Sequence, residues 1–470
     1  MPLKLYNTMT RTLETVQPLE DDHVRMYTCG PTVYARAHIG NFRTFVFEDI
    51  LRRWCDRSFR KVTHVMNLTD VDDKIIRNAI AHHTSLQVET APWIEAFFED
   101  VDALGIRRAH HYPRATEYVP QMIALISTLR DRGHTYDRDG SVYYRIDTFP
   151  SYGKLSGMKQ EGLIDGASGR VDADEYSKDD ARDFALWKAV GPDEIGWDTE
   201  LGRGRPGWHI ECSAMSSALL GPQFDLHCGG IDNIFPHHEN EIAQSEGATG
   251  KQFVRIWCHS AHLQIEGEKM AKSLGNFFTV HDLITEAHVQ PSAIRYLLAA
   301  TAHYRKTLSY SQEALGNARE AVERWSTFAA RCRSMDATGE PRDVIERCKI
   351  SWDAFQKTMN DDLNLPEAMG IVFREVRELN KYADASPFTP GEKEVLLKWI
   401  EDVDDILGVL PLVEHEQSIG LTPEEQQLLD ARAAARANRK WVESDSLREQ
   451  LETVGILVED TPQGQRWRRA

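Results

Sequence analysis

The sequence lacks the features that would place it in a membrane or in a disulfide-rich secreted fold. None of its apolar runs approaches the ~20 residues that a membrane-spanning helix needs, and the segment from Met1 to Asn7 lacks the apolar core of a signal peptide. The cysteines number seven, an odd count without closely repeated spacing, so a disulfide framework is not expected in a chain of 470 residues. We therefore expect a cytoplasmic protein whose cysteines are buried or bind a metal.

The chain also lacks a surplus of positive charge. Its net charge of −18 argues against indiscriminate binding to nucleic acid, although a specific RNA partner would depend on local charge. Hydrophobic residues make up 41% and charged residues 27%, as in ordinary globular proteins. The length allows roughly three domains, and we find no internal repeat or low-complexity tract.

The first part of the chain carries the pattern of a βαβ unit. Residues 24–30 read as a buried strand, Asn41 to about Arg57 as an amphipathic helix, and Lys61 to Leu68 as a second strand. This order predicts an α/β fold with a Rossmann-type parallel sheet, in which ligands bind beyond the carboxyl ends of the strands.

The pattern changes along the rest of the chain. Residues 115–200 read as an insertion, and beyond residue 285 strand signals give way to helical patterns, with Leu412–Thr422 as a linker. Helices are predicted at 291–335, 343–360, 366–383 and 391–408. The predicted units are an α/β domain in two halves (1–114 and 201–250), the insertion (115–200), a connecting region (251–310), a helical bundle (311–411) and a small C-terminal unit (423–470).

Side chains that could bind a metal are spread over the predicted α/β part. His237 and Glu241, at positions i and i+4 of a predicted helix, would share one face. Together with Cys29 and Cys212 they would form a set of two thiolates, one imidazole and one carboxylate, which suits zinc. Buried cysteines and polar surface histidines would give the same pattern, and the spacing does not choose between His237 and His238.

Two short motifs could bind phosphate. His38-Ile39-Gly40-Asn41 opens the predicted helix, whose unpaired N–H groups and positive dipole end favour anions, although His38 could instead cap the helix. Lys269 and Lys272 flank a short loop, Lys269–Ser273, and could neutralise a polyphosphate, although exposed lysines are common in loops. Both motifs in this order are more specific than either one alone.

The order of these and other motifs over nearly the whole length resembles the class I aminoacyl-tRNA synthetases, and within them the cysteinyl-tRNA synthetase family. The segments that carry the resemblance are Cys29–Tyr34, His38–Asn41, Asn67–Lys74, Pro206–Met215, Gly229–Asp232, Phe235–Glu241, Lys269–Ser273 and Asp361–Pro366. Two positions depart from the family pattern: Asn41 stands where the first signature usually has His, and Ala271 where the second usually has Ser. Asn41 keeps a hydrogen-bond donor and both lysines remain, so we expect phosphate contact to survive.

The resemblance implies roles for particular residues. It implies one zinc ion per chain held by Cys29, Cys212, His237 and Glu241, which selects His237 over His238. The pocket for L-cysteine is implied to contain Gly30, Thr69 and Trp208, and the ATP site His38, Gly40, Gly230, Asp232 and Lys272. Catalysis is implied to use His38, Asn41, Lys269 and Lys272, with Mg²⁺ accompanying ATP. Cys228 matches no ligand position and is expected to pack in the core.

The implied activity is the ligation of L-cysteine to tRNA(Cys) in two steps, through cysteinyl-adenylate. Serine differs from cysteine by one atom, so a pocket of matching shape gains only about 1–3 kcal/mol, whereas zinc favours a thiolate over a hydroxyl. We therefore expect no editing site in the insertion. The C-terminal unit resembles the family's anticodon-binding end, where Trp467, Arg468 and Arg469 could stack on bases, and we expect a monomer.

Two other functions fit part of this pattern. A related ligase that transfers activated cysteine to an amino sugar would resemble the catalytic half but lack a full C-terminal unit. A non-catalytic RNA-binding descendant would not need both lysines and all four zinc positions. A tRNA charging assay separates these functions from the implied one.

Overall fold

The structure is a computed structural model that describes residues 1–158, 183–269, 278–418, 421–461 and 464–469. Lys272 and most of the loop that contains it therefore lie outside the described residues. Within the described residues, no helix is both long and apolar enough to cross a lipid bilayer.

The N-terminal βαβ pattern folds as the sequence predicts. In chain order the elements are strands β1 (Lys4–Asn7), β2 (Thr12–Thr15) and β3 (His23–Thr28), helix α1 (Ile39–Ser58), strand β4 (Lys61–Met66), and helices α2 (Asp73–Ala81) and α3 (Leu86–Ala103). The predicted strand, helix and strand are confirmed as β3, α1 and β4, and β3 pairs with β4 in parallel.

The insertion contains an antiparallel sheet. Helix α4 (Val119–Asp131) precedes it, and its strands are β5 (Thr135–Arg138), β6 (Ser141–Tyr144), β7 (Phe184–Ala189), β8 (Trp197–Thr199) and β9 (Gly202–Pro206). They lie in the order β5-β6-β7-β9-β8. The sheet thus continues beyond residue 200, because β9 pairs with β7.

The parallel sheet is completed by the chain that follows the insertion. The elements are helix α5 (Trp208–Leu220), strand β10 (Phe224–Gly230), helix α6 (Glu239–Thr249) and strand β11 (Val254–Ser260), and the sheet has the order β11-β10-β3-β4. All three pairings in it are parallel. The carboxyl ends of four strands therefore meet at one edge, as the predicted Rossmann-type fold requires.

A small sheet and two helices lead from the parallel sheet to the helical bundle. They are β12 (Leu263–Ile265), β13 (Glu268–Lys269), α7 (Val280–Thr285), α8 (Pro291–Ala300) and β14 (Leu308–Tyr310). The expectation that strands end before residue 285 is wrong, because β14 pairs in parallel with β12. Three residues are too few to give a clear alternating signal in the sequence.

The helical region follows most of its predicted pattern, but the helix predicted at 291–335 is interrupted: α8 ends at Ala300, and β14 lies between it and the next helix. It consists of α9 (Gln312–Ser334), α10 (Val344–Met359), α11 (Leu365–Ala385), α12 (Pro390–Leu407) and α13 (Leu410–Ser418). The predicted linker is wrong in its first part, where α13 is a helix whose Leu412 and Val413 are buried. Glu416 of α13 accepts hydrogen bonds from the backbone and the hydroxyl of Ser292, at 2.8 and 2.9 Å, which fastens the helix to α8.

The C-terminal unit pairs two helices with a hairpin. Its elements are α14 (Pro423–Ala437), α15 (Trp441–Thr453), β15 (Ile456–Thr461) and β16 (Gly464–Arg469). The strands of the hairpin are a second departure from the absence of strands predicted beyond residue 285. Its small core contains Leu429, Leu451, Ile456 and Val458.

Helix α1 lies between the parallel sheet and the helical region and is buried on most of its surface, not along one face. Several of its buried charged side chains are hydrogen-bonded to other parts of the fold. Asp49 accepts from Arg53 at 2.8 Å and from Arg295 of α8 at 2.6 Å, and Arg43 donates to the carbonyl oxygens of Ala302 and His303 at 2.8 and 3.0 Å. In this position, the first turn of α1 lies at the edge of the sheet where the strands end.

Candidate active site and metal centre

The first turn of α1 has a reciprocal cap. The backbone N–H of Asn41 donates to Nδ1 of His38 at 3.2 Å, and the side-chain oxygen of Asn41 accepts from the backbone N–H of His38 at 3.1 Å. Because Nδ1 accepts, the neutral imidazole of His38 carries its proton on Nε2. Capping through Nδ1 and hydrogen-bond donation through Nε2–H are therefore compatible in His38.

Gly30 lies where the ends of β3 and β4 approach each other most closely. A Cβ atom at this position would lie 1.8 Å from the carbonyl oxygen of Asn67, so no other residue fits without moving the backbone. The N–H of Gly30 donates to the side-chain oxygen of Asn67 at 3.0 Å. The side-chain nitrogen of Asn67 donates in turn to the hydroxyl of Thr69 at 3.1 Å. The structure thus links two of the three residues expected to bind cysteine.

The four residues expected to bind zinc lie close together near this edge of the sheet. Cys29 follows β3, Cys212 lies in α5, His237 precedes α6 and Glu241 lies in its first turn. One ligand atom from each residue lies within 4.8 Å of those of the others, and all four residues are buried. The Nε2 atom of His237 is 3.1 Å from Oε1 of Glu241.

A second set of possible ligands shares two of these residues. Cys29 and Glu241 also lie within 4.8 Å of His227 and His238. His238 Nε2 is 3.2 Å from the sulfur of Cys29, and His227 Nε2 is 2.9 Å from Oε2 of Glu241. The sequence analysis missed His227, which lies within strand β10 and follows no spacing that would mark it.

Burial controls the protonation of the cluster. It lowers the pKa of His237 to about 3, so this imidazole is neutral and able to bind a metal. It also raises the pKa of Glu241 to about 7 and that of Cys29 well above its usual value. Without a cation, the buried acidic groups are thus driven toward their neutral forms. A divalent metal would supply the missing positive charge, and the donor set fits Zn²⁺.

Trp208 lies between the cluster and the solvent. Its ring stacks on His237 with a centroid distance of 4.3 Å and an interplanar angle of 18°. Trp208 is 47% exposed, unlike the residues beneath it. A partly exposed aromatic ring thus packs directly on one of the candidate metal ligands.

Those residues expected to bind ATP that the structure describes lie along the same edge. Gly230 ends β10, and Asp232 follows in a short turn where its Oδ2 is 3.5 Å from Nδ1 of His262. A Cβ at Gly230 would lie 3.6 Å from the hydroxyl oxygen of Thr44 in α1, an ordinary contact. The glycine is therefore adjacent to the first turns of α1, which Gly40 and His38 begin.

The C-terminal end of the lysine loop is anchored beside His38. The loop leaves β13 at Lys269, whose side chain lies outside the described residues, as does Lys272. The chain returns at Phe278, whose carbonyl oxygen accepts from the N–H of Ile39 at 2.9 Å, and Thr279 forms a β-bridge with His38. The second phosphate motif is thus tethered to the first through the backbone.

The C-terminal unit gives a mixed result for the expected tRNA contacts. Trp467 is half-buried against the hairpin and packs on the small core, and the side chains of Arg468 and Arg469 lie outside the described residues. A groove of about 570 Å³ lies instead along α15, lined by Ala431, Lys440, Trp441, Val442, Glu443, Ser446, Leu447 and Gln450. Trp441 is 54% exposed, with the guanidinium of Arg436 5.6 Å from its ring centroid. The sequence analysis missed this exposed aromatic.

The parallel sheet, the antiparallel insertion and the helical region together form the architecture of a class I aminoacyl-tRNA synthetase. The family model of the class I (C) tRNA synthetase catalytic domain matches residues 15–320, that of the DALR domain residues 354–411, and that of the cysteinyl-tRNA ligase anticodon binding domain residues 419–468. The fold is also similar to Mycobacterium tuberculosis methionyl-tRNA synthetase, at a TM-score of 0.57 and 16% identity over 90% of this chain and 96% of that one.

Full-length relatives define the branch within this class. A cysteine--tRNA ligase of Solibacter usitatus is 47% identical over 100% of both chains. One of Brachyspira hyodysenteriae is 43% identical over 99% of this chain and 98% of its own. The chain therefore belongs to the cysteine--tRNA ligase family and is an enzyme of that activity. The implied fold class and activity are confirmed.

Proposed function

We propose that the enzyme selects cysteine through a zinc ion held by Cys29, Cys212, His237 and Glu241. The observation that carries the proposal is the convergence of these four buried side chains, with their ligand atoms within 4.8 Å of one another. Two thiolates favour zinc over hard cations such as magnesium. The choice of this set over the one with His227 and His238 rests on its second thiolate and on the half-exposed Trp208 beside it.

His227 and His238 then orient the ligands. His227 can donate from Nε2 to the second oxygen of Glu241, and His238 from Nε2 to the sulfur of Cys29. Hydrogen bonds of this kind fix the geometry of metal ligands and balance their charge. The Nδ1 atom of His238 lies 2.9 Å from Nε2 of His259, which sets the ring orientation.

Zinc, when bound, would supply a soft Lewis acid that favours the thiolate of the substrate side chain over a hydroxyl. Trp208 would cover the substrate from the solvent side. Gly30, which has no side chain, would allow the amino and carboxyl groups of the substrate to approach the strand ends. Discrimination against serine would then need no editing reaction. A pocket that relied on shape would gain only about 1–3 kcal/mol.

In the first step, the carboxylate of cysteine attacks the α-phosphate of ATP, forming cysteinyl-adenylate and releasing pyrophosphate. A carboxylate needs no general base, so this step depends on position and on stabilisation of developing charge. We assign that stabilisation to His38 through Nε2–H and to Lys272, with Lys269, Asn41 and the Mg²⁺ that accompanies ATP assisting. Gly40, Gly230 and Asp232 would hold the nucleotide.

In the second step, the 2′-hydroxyl of the terminal ribose of tRNA takes the acyl group and AMP leaves. The C-terminal unit would hold the anticodon of tRNA(Cys). Trp467, Arg468 and Arg469 are one proposed contact region, and the groove with Trp441 is a second. The exposed ring and the neighbouring Arg436 favour the groove, because such faces stack on single-stranded bases.

The test is to incubate the protein with ATP, cysteine and total tRNA and to identify the aminoacylated species. Charging of tRNA(Cys) alone is the expected result. Transfer to an amino sugar, or binding of tRNA without charging, would instead support one of the two other functions. The match of the anticodon binding domain at residues 419–468 argues against the amino-sugar ligase. Action as a monomer and in the cytoplasm stays a prediction.

A further inference from the structure

The turn between helices α10 and α11 has no role in the proposed reaction, although the segment Asp361–Pro366 that contains it carries part of the family resemblance. At its centre, Asp362 and Leu363 have positive φ angles of 64° and 53°. Residues other than glycine rarely adopt this left-handed conformation, which is unfavourable for them and persists only where the surroundings enforce it. Asp362 is 3% exposed, so its side chain is used within the molecule. Its contacts therefore indicate why this conformation is kept.

The carboxylate of Asp362 accepts three hydrogen bonds from outside the helical region. Its Oδ1 atom accepts from the hydroxyl of Tyr304 at 2.5 Å and from the backbone N–H of Tyr6 at 2.8 Å. Its Oδ2 atom accepts from Nε of Arg305 at 2.6 Å. The backbone carbonyl oxygen of Asp362 accepts from Nε2 of His303 at 2.8 Å. The turn thus holds three consecutive residues of the segment between α8 and β14.

Helix α1 holds the same three residues from another side. The guanidinium of Arg43 donates to the carbonyl oxygen of His303 at 3.0 Å. The ring of Phe47 stacks on that of Tyr304, with a centroid distance of 4.3 Å and an interplanar angle of 11°. The segment is therefore fixed between α1 and the turn of the helical region.

This segment supports the chain that follows β11 at the proposed ATP site. The carbonyl oxygen of Tyr304 accepts from the N–H of Ala261 at 2.8 Å, and the N–H of Leu308 donates to the carbonyl oxygen of His262 at 3.0 Å. His262 lies beside Asp232, with 3.5 Å between Nδ1 and Oδ2. A displacement of Tyr304 would therefore move a neighbour of one residue expected to hold the nucleotide.

The backbone pairing continues toward the lysine loop. Strand β14 pairs in parallel with β12, and β12 pairs with β13, which ends at Lys269. Lys269 is the first residue of the loop. A series of backbone hydrogen bonds thus connects the segment that Asp362 holds with the start of the second phosphate motif.

We propose that Asp362 is a positioning residue for ATP, which acts by fixing residues 303–305 and, through them, the chain at Ala261 and the start of the lysine loop. Hydrogen bonds to a carboxylate are stronger than those between neutral groups, so a buried carboxylate suits this task better than an amide. The proposal rests on the proposed function, because it assumes that Asp232 and the lysines contact ATP.

The residues expected to bind cysteine lie on other elements. Gly30 and Thr69 follow β3 and β4, and Trp208 begins α5. Ala261 follows β11, the edge strand at the opposite end of the order β11-β10-β3-β4 from β4. Loss of the contacts of Asp362 should therefore impair the use of ATP and not the binding of cysteine.

The test is cysteine-dependent ATP–pyrophosphate exchange by the full chain, with each substrate varied while the other is saturating. Asp362→Asn keeps one acceptor oxygen but loses the charge that pairs with Arg305. It should lower kcat/KM for ATP by about 10-fold, because small displacements of reacting groups slow a reaction strongly. KM for cysteine should stay within about 2-fold of the wild-type value, because no contact with this substrate is removed.

Tyr304→Phe provides an independent variant in case Asp362→Asn does not fold. It removes only the hydroxyl that donates to Asp362 and keeps the ring that stacks on Phe47. The same selective loss for ATP is expected, of about 3-fold or more. In the double variant the combined loss should be smaller than the product of the two single losses, because both substitutions act on one interaction.

Asp404→Asn is the matched control. Asp404 is a buried carboxylate within the helical region, 6% exposed. It accepts from Nε1 of Trp325 at 3.0 Å and from the backbone N–H groups of Val409 and Leu410 at 3.3 and 3.0 Å. Its substitution should lower the midpoint of thermal unfolding, because buried hydrogen bonds are lost, and leave kcat/KM for ATP unchanged.

Three results would overturn the proposal. They are equal losses for ATP and cysteine in the Asp362 and Tyr304 variants, unchanged kinetics in both variants, and the same selective loss in Asp404→Asn. Absence of exchange in the wild-type protein would instead contradict the proposed function.

Discussion

At the scale of single residues, two buried cysteines differ in what surrounds them. Cys212 and Cys228 are both buried, but only Cys212 lies in the cluster with His237 and Glu241. Cys228 packs beside Cys258 on the neighbouring strand. We predict that Cys212→Ser lowers the bound zinc well below one ion per chain, because a neutral hydroxyl replaces a thiolate ligand. Mass spectrometry of the purified protein measures the metal.

Cys228→Ser is the control for this substitution and should keep its zinc. Removal of zinc from the unaltered protein by a chelator should also reduce the preference for cysteine over serine in pyrophosphate exchange. Metal-free protein with full discrimination, or equal zinc in both serine variants, would rule out the proposed site.

The sequence predicted a set of candidate metal ligands, but the spacing of its residues could not choose among the histidines. Cys29 and Cys212 are identifiable because they lie in motifs that resemble the family. The spacing of His237 and His238 alone left either possible, and the structure adds His227 as a further neighbour of Glu241. The approach of these histidines to Glu241 depends on how β10 and α6 pack. Packing between distant segments cannot be predicted from the local sequence pattern.

At the scale of elements, the charge network of α1 makes a prediction for stability. Asp49 holds both Arg53 and Arg295, and Arg295 is fully buried, which lowers its pKa to about 10. Asp49→Ala should destabilise the protein by about 3–5 kcal/mol, because it leaves buried arginines without a counter-charge. The midpoint of thermal unfolding should fall accordingly.

Asp56→Ala on the same helix is the control. Asp56 pairs with Arg52, and its side chain is 29% exposed. The cost should stay below about 1 kcal/mol. Similar shifts for the two variants would show that the buried network of α1 does not stabilise the fold.

The lysine loop makes a second prediction at this scale. Lys272→Ala should lower cysteine-dependent pyrophosphate exchange by about 100-fold or more, because one charge that stabilises the transition state is lost. Cysteine binding, measured by calorimetry, should change little. Lys251→Ala, at an exposed lysine after α6, is the control and should leave exchange intact. An unchanged exchange rate for Lys272→Ala would remove its catalytic role.

The long elements were predictable and the short ones were not. Helices α10 to α12 repeat their apolar residues over many turns, so the sequence alone places them, whereas the helix predicted at 291–335 is two helices, α8 and α9. Strand β14 has three residues and forms because β12 offers it a partner. Helix α13 was read as a linker, and contacts with α8, such as Glu416 to Ser292, hold it in place.

At the scale of the whole molecule, catalysis and tRNA recognition should be separable. We predict that Trp441→Ala lowers kcat/KM for tRNA charging by about 10-fold or more, because a base loses a stacking partner. Pyrophosphate exchange without tRNA should be unaffected. The neighbouring Val442 is 87% exposed, and Val442→Ala should change neither reaction. Equal charging by the wild type and Trp441→Ala would exclude the groove as a contact.

The close approach at Gly30 limits how the pocket can be redesigned. Because a Cβ there would meet the backbone of Asn67 at 1.8 Å, the inner wall of the pocket is made of main chain that no substitution can trim. Engineering of the proposed cysteine pocket for bulkier thiol amino acids should therefore start from a side chain such as the half-exposed Trp208, which smaller residues can replace. The main chain at the strand ends sets a limit on the substrate that mutation of Gly30 cannot relax.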